Sequence, residues 1–268
     1  MNRFISYIIK TNIIVACSSF SLYKLTEFLF NISDIKMGFF IFFSTLLAYN
    51  YMQLFNRLKN NFFNPQRTFI YILLFLLCSV LLYDLYFLKL VMPIVLICII
   101  YPMSIAISNK HHLFRLRSIP FFKVFLIALV WSYVTFLMPL LYFNIKIDFF
   151  LISNFIQRFL FVLVISLPFD IRDMKVDNIS TIPNTFGIMK SKYFGWFCLF
   201  VIQILLIVEI INNVISLEMF IALFISIELT SLILYLANSR RSNFFYGVIV
   251  EGLSIIMCLF VFCSMFFI

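Results

Sequence analysis

Predominantly apolar runs of about 20 residues recur from one end of this chain to the other, and that repetition restricts the fold more than any motif does. A run of this length crosses the ~30 Å hydrocarbon core of a bilayer as a helix. About nine can be read, at 11–31, 37–56, 68–86, 88–108, 122–143, 149–169, 193–212, 217–237 and 244–267. Hydrocarbon offers no water to backbone N–H and C=O groups, so a spanning segment must be a helix or a strand of a closed barrel, and barrel strands need only about half this length. The expected fold is therefore all-α, a polytopic membrane bundle of about nine transmembrane helices. Composition agrees, since 64% hydrophobic and 12% charged residues lie far from the balance of a soluble domain. The longest polar stretch runs only from about Asp170 to Lys192. Residues 1–268 thus read as a single transmembrane domain.

Basic residues orient such a bundle, because Lys and Arg are retained on the cytoplasmic side. Arg3, Lys10, Arg57, Lys59, Arg67, Lys110, Arg115, Arg117, Lys123, Arg172, Lys175, Lys190, Lys192, Arg240 and Arg241 all fall at the N-terminus or in alternate loops. The other side holds only Lys24, Lys36, Lys89 and Lys146, mostly offset by Glu27, Asp34, Asp84 or Asp148. The N-terminus and the Asp170 loop are expected to be cytoplasmic. The net charge of +9 is then a topology signal with some attraction to anionic membrane lipid, and it gives no support to nucleic-acid binding. A multi-pass protein of a bacterial inner membrane is the expectation. "IVAC", Ile14 to Cys17, mimics a lipoprotein cleavage site, but Lys10 interrupts the apolar run and further spans follow, so an uncleaved first helix is expected. All six cysteines fall within spans without a C-x-x-C pair, which marks them as packing residues.

Within this apolar background the stretch "DIRDMKVDNISTIPNTFG" gathers three carboxylates at the inner end of the sixth span. Asp170, Asp173 and Asp177 are spaced i, i+3, i+7, which places them on one helical face if the helix continues that far. Like charges so placed repel unless a cation offsets them. Oxygen ligands of this kind suit Mg²⁺, which bridges carboxylates to substrate phosphates. The alternative is a solvated helix end with Arg172 and Lys175 as local partners. Arg158 lies about 18 Å along the same helix from Asp170, near the bilayer centre, where an ionisable group needs a partner. A buried pair with Glu209 or Glu228 is the expectation, and action in a cavity among the helices the alternative. His111 and His112 sit in a basic loop without carboxylates at catalytic spacing and read as solvated.

"DIRDMKVD" followed by "TIPNTFG" resembles the second Asp-rich motif of the UbiA superfamily of intramembrane prenyltransferases. Asp170, Arg172, Asp173, Asp177, Thr181, Pro183 and Gly187 match it position by position. "FKVFLIALVWSYVTFLMP" is similar to the family's fifth helix, and "KTNIIVA" to its first, with Asn12 at a commonly polar position. The departures are as telling. The first Asp-rich motif is represented by "NYMQLFNRL", in which Asn50 is retained while Tyr51, Leu54 and Leu58 stand where carboxylates are expected. In their place Asn50, Gln53 and Arg57 form an amide and guanidinium face, or merely line a helix seam. Beyond Asp177 the chain is a few residues short and lacks the family's following basic residue and glycine.

The resemblance implies a UbiA-like bundle of nine helices that binds a prenyl diphosphate. Asp170, Asp173 and Asp177 would hold Mg²⁺, possibly fewer ions than in relatives with both acidic motifs, and would form the catalytic site. Asn50, Gln53, Arg57, Lys59, Lys110, Arg115, Arg117 and Arg172 would contact the substrate, a guanidinium being able to clamp phosphate without a metal. The chain would be transferred to an unidentified lipophilic acceptor. A degenerate protein that binds or presents an isoprenoid lipid without turnover is the alternative, and a transporter a more distant one, because Gly/Pro-broken helices in matching halves are missing.

Overall fold

The computed structural model describes residues 8–9, 11–57, 73, 85–101, 104–106, 113–115, 121–174 and 181–266. Helices account for nearly all of them: α1 (Ile13–Phe30), α2 (Ile35–Arg57), α3 (Leu85–Ile100), α4 (Phe122–Tyr142), α5 (Phe149–Asp173), the short α6 (Ile182–Phe186), α7 (Ile188–Ile211), α8 (Leu217–Leu236) and α9 (Phe245–Ser264). Six of these, α1, α4, α5, α7, α8 and α9, are long and apolar enough to cross a membrane. The protein is a multi-pass membrane helical bundle. The expected third span, 68–86, lies almost wholly outside the described residues.

The fourth span, expected over 88–108, ends early. Its helix stops at Ile100, and β1 (Ser104–Ala106) pairs antiparallel with β2 (Leu113–Arg115), Ser104 opposite Arg115. Pro102 follows Tyr101 in the chain, and a residue before proline is pushed out of the helical region. This small hairpin is the one departure from an all-α fold among the described residues.

Leu and Phe side chains gain little by leaving lipid for a helix, so contacts between spans rest on close backbone approach and hydrogen bonds. The buried faces accordingly carry small and hydroxyl residues: Ser18 and Thr26 on α1, Ala128 and Ser132 on α4, Ala222 and Ser226 on α8. Where α7 meets α8 and α5, a Cβ on Gly195 would stand 2.5 Å from Leu234 Cδ2 and 3.1 Å from Leu167 Cδ1. Helix α1 packs against α2, α4 and α9, α5 packs against α4 and α7, and α8 joins α7 to α9.

Pro139 shapes the α1–α4 contact. A proline has no N–H to give and its ring collides with the carbonyl four residues earlier, here Thr135. The preceding turn, Tyr133–Leu137, widens into a π-helix, and the Thr135 carbonyl accepts a 2.8 Å hydrogen bond from Thr26 Oγ1 of α1. Arg158, buried in α5, is drawn to the same seam. It donates to the Leu22 carbonyl and to Thr26 Oγ1 and lies over the Phe136 ring. The expectation that it pairs with Glu209 or Glu228 is therefore corrected. Glu209 Oε1 instead accepts from Ser153 (2.8 Å), Asn154 (3.1 Å) and Gln157 (2.5 Å), and Glu228 accepts from Gln203. Among the described residues no ion pair joins Arg158 to either glutamate. Rotation of α5 decides this: residues 153, 154 and 157 face α7, while 158 faces α1.

Candidate site at the Asp170 end of the bundle

Helix α5 delivers Asp170 and Asp173 in its last turn and ends at Asp173. The two carboxylates are one turn apart, yet they take different partners. Asp170, 2% exposed at its side chain, accepts at 2.9 Å from Lys123 Nζ at the start of α4. Asp173, 30% exposed, accepts 2.6 and 2.9 Å bonds from Nε and Nη2 of the neighbouring Arg172. Arg172 is fixed in turn by stacking on Phe169 and on Tyr246 of α9, at 5.3 and 5.4 Å. Glu251 of α9 lies within electrostatic range of Arg172. Asp177 lies outside the described residues, so the continuation of the acidic face past Asp173 does too.

The segment after it has a plain physical design. Thr181 caps α6, its hydroxyl accepting from the Asn184 N–H, and Pro183 occupies the first turn, where no N–H is needed. Gly187 ends α6 and starts α7 at φ 86° and ψ 163°, a conformation nearly confined to glycine. Its carbonyl accepts from both the backbone N–H and the hydroxyl of Ser191. Thr181, Pro183 and Gly187 are thus cap, first-turn and hinge residues that place α7 beside the end of α5.

On α2, the side-chain amide of Asn50 donates to the Thr11 carbonyl at 3.2 Å and to the Leu46 carbonyl at 2.8 Å. Gln53 donates at 2.9 Å to Asn12 Oδ1. Both amides tie α2 to the start of α1. Asn12 Nδ2 is a buried donor with no hydrogen-bond partner among the described residues. The backbone of Arg57 closes α2 and that of Arg115 closes β2. Their side chains, and all of Lys59, Lys110, Arg117, His111 and His112, lie outside what is described.

An apolar cavity of about 530 Å³ is bounded by α2, α3 and α4, with Ser19 of α1 in its wall. This lies within the ~300–1,000 Å³ common for small-molecule sites. It extends from Phe40 and Met138 at one end to Met52, Tyr101 and Leu126 at the other. Its aromatic ring contact is Tyr49 against Trp131, centroids 6.3 Å apart and edge-on. Along α4, the wall residues Leu126, Ile127 and Val130 stand i+3, i+4 and i+7 from Lys123, so the ammonium that holds Asp170 continues the same helical face.

Sequence reasoning counted Lys123 only among the topology charges and passed over Glu251. A signal existed for both: Lys123 begins a span at the end where α5 presents Asp170, and Glu251 is an acid inside the last apolar run. Among the described residues no three His, Cys, Asp or Glu side chains gather as a metal cluster. Comparison with family models, with curated proteins and with solved structures yields no match.

Proposed function

We propose that the protein is a UbiA-like intramembrane prenyltransferase that takes an isoprenoid diphosphate with its tail in the apolar cavity and its head at the Asp170 end of the bundle. The observation that carries this reading is the single α4 face running from the cavity wall to Lys123 and Asp170. An apolar slot with fixed charge one turn further along its wall helix suits an amphiphile with an ionic head.

In this reading Arg172 binds diphosphate oxygens, together with Arg57, Lys59, Lys110, Arg115 and Arg117. Asn50 and Gln53 tie α2 to the start of α1. Asp173 is accessible enough, and chemically suited as a hard oxygen donor, to hold Mg²⁺ with Asp177. Asp170 is engaged by Lys123 and serves to fix that lysine. Bound Mg²⁺ would neutralise charge on the departing diphosphate. The C–O bond of the allylic diphosphate breaks with the electron pair leaving on oxygen, Tyr49, Tyr101 and Trp131 face the developing cation with their rings, and the acceptor closes the new bond and loses a proton. Fixed cations that need no reorganisation are effective at such a step.

A second reading, an isoprenoid-lipid binder without turnover, is favoured by one observation: Asp170 and Asp173 each already have a cation of the protein's own. One experiment separates the two. Purified protein should gain thermal stability from a prenyl diphosphate in the presence of Mg²⁺ and lose that gain in Asp173→Asn/Asp177→Asn, by binding linkage. An equal gain from a prenyl alcohol, indifferent to Mg²⁺, supports the binder, and no gain from either compound refutes both.

A further inference from the structure

Helices α7 and α8 turn an apolar surface away from the bundle. On α8 the exposed stripe is Ile221, Ile225, Leu232 and Tyr235, and in its middle, equally exposed, is Glu228. Its carboxylate accepts at 2.6 Å from the side-chain amide of Gln203, which reaches across from α7. Depth can be read from the aromatic residues. Trp196 of α7 stacks on Tyr235 of α8 at 6.3 Å, near Lys192, which donates to the Tyr235 carbonyl at 2.6 Å. Trp, Tyr and Lys together mark the interfacial level. Gln203 is seven residues beyond Trp196, about 10 Å deeper. A glutamate side chain is too short to reach headgroups from there, and an acid facing hydrocarbon at that depth is costly without a partner.

We infer that this face is the interface between two copies of the protein, closed by a reciprocal ring of Gln203 and Glu228. Lipid is an adequate neighbour for Ile225 and Leu232, so the apolar stripe alone demands nothing. The acid–amide pair does, and it is self-complementary. Within one copy, one N–H of the Gln203 amide is spent on Glu228. Its carbonyl oxygen and second N–H remain to meet the other copy. Across a two-fold axis, the carboxyl group of Glu228 meets the Gln203 amide of the second copy, whose carbonyl oxygen and remaining N–H face it, and the same contact forms by symmetry. Each Gln203 and Glu228 then has a polar neighbour in both copies, as a hydrocarbon setting requires. A partner with a lysine or arginine would neutralise Glu228 but leave the Gln203 carbonyl and N–H without a match.

The test places a photocrosslinking benzoylphenylalanine at Ile225 or Leu232, flanking Glu228, or at exposed Leu129 of α4 as a control, in the full chain within its membrane. A homodimer-sized adduct is expected from Ile225 and Leu232 and not from Leu129. Glu228→Leu should lower that adduct roughly tenfold, the effect of two membrane hydrogen bonds, whereas Glu228→Gln, which keeps a polar hydrogen-bonding group, should retain it. The inference is overturned by an adduct with a protein of another mass, by equal adducts from Leu129, or by an adduct indifferent to Glu228→Leu. Loss of the adduct in Glu228→Gln overturns it as well, because a charged partner would then be required.

Discussion

Replacing Lys123 by Met should expose how far the Asp170 end of the bundle depends on the Lys123–Asp170 ion pair. Asp170 is 2% exposed and the Lys123 ammonium stands at 2.9 Å. Removing one member of a buried pair costs roughly 3–5 kcal/mol, because the charge left behind in a buried site loses the partner that compensated it. The Lys123 side chain retains 17% exposure, so some water already reaches the pair, and the lower end, about 3 kcal/mol, is expected for Lys123→Met. Asp170→Asn leaves an ammonium that can turn to water and keeps an amide for hydrogen bonding, so about 1 kcal/mol is expected. In Lys123→Met/Asp170→Asn no charge is stranded. The double variant should cost about 2 kcal/mol instead of the summed ~4, a coupling of about 2 kcal/mol. Reversible SDS unfolding in mixed micelles, followed by tryptophan fluorescence, measures all three. Additive losses would refute the argument, since they would mean that Lys123 and Asp170 do not compensate each other.

Gly187→Ala should destabilise by about 1–3 kcal/mol, because φ 86° with ψ 163° strains any side chain although nothing stands within 4 Å of the added methyl; the same unfolding assay reads it, and an unchanged value would contradict the assigned backbone role. Arg158→Met should change stability by no more than about 1 kcal/mol, since an apolar chain of similar length replaces a buried charge whose acceptors among the described residues are neutral. A loss above about 3 kcal/mol would show that a counter-charge holds Arg158. For orientation, cysteines introduced at Asn60 or Asn178 should resist a membrane-impermeant thiol reagent in intact cells, and ready labelling would reverse the proposed topology.

The helical spans were legible because hydrocarbon thickness sets run length directly. Thr181, Pro183 and Gly187 were legible only as motif matches, and their cap, first-turn and hinge roles came from the structure. Helix faces were not legible. Spans such as α7 and α8 are apolar all round, so amphipathicity does not mark which side is buried, and the marks lie in sparse residues such as Gly195 and Ser226. Partners were less legible still. Lys123, Lys192 and Arg158 all read as loop charges or as half of a salt bridge, yet one holds Asp170, one caps the carbonyl end of α8, and one donates to α1. Partner choice depends on neighbour order and helix rotation, which charge pattern does not encode. The α3 end was readable in Pro102 but was overridden by the continuing apolar run.

Photoaffinity labelling tests the central proposal most directly. A prenyl diphosphate carrying a diazirine near the end of its tail would be irradiated with the protein in nanodiscs and the adduct mapped by mass spectrometry. The tail-in-cavity arrangement predicts labelling on α2 or α4 segments that line the cavity, around Phe40, Ser44, Val134 and Met138, with Ala48→Phe and excess unlabelled prenyl diphosphate each suppressing it. Labelling confined to the exposed outer surfaces of the bundle, indifferent to Ala48→Phe and to competitor, would contradict the account.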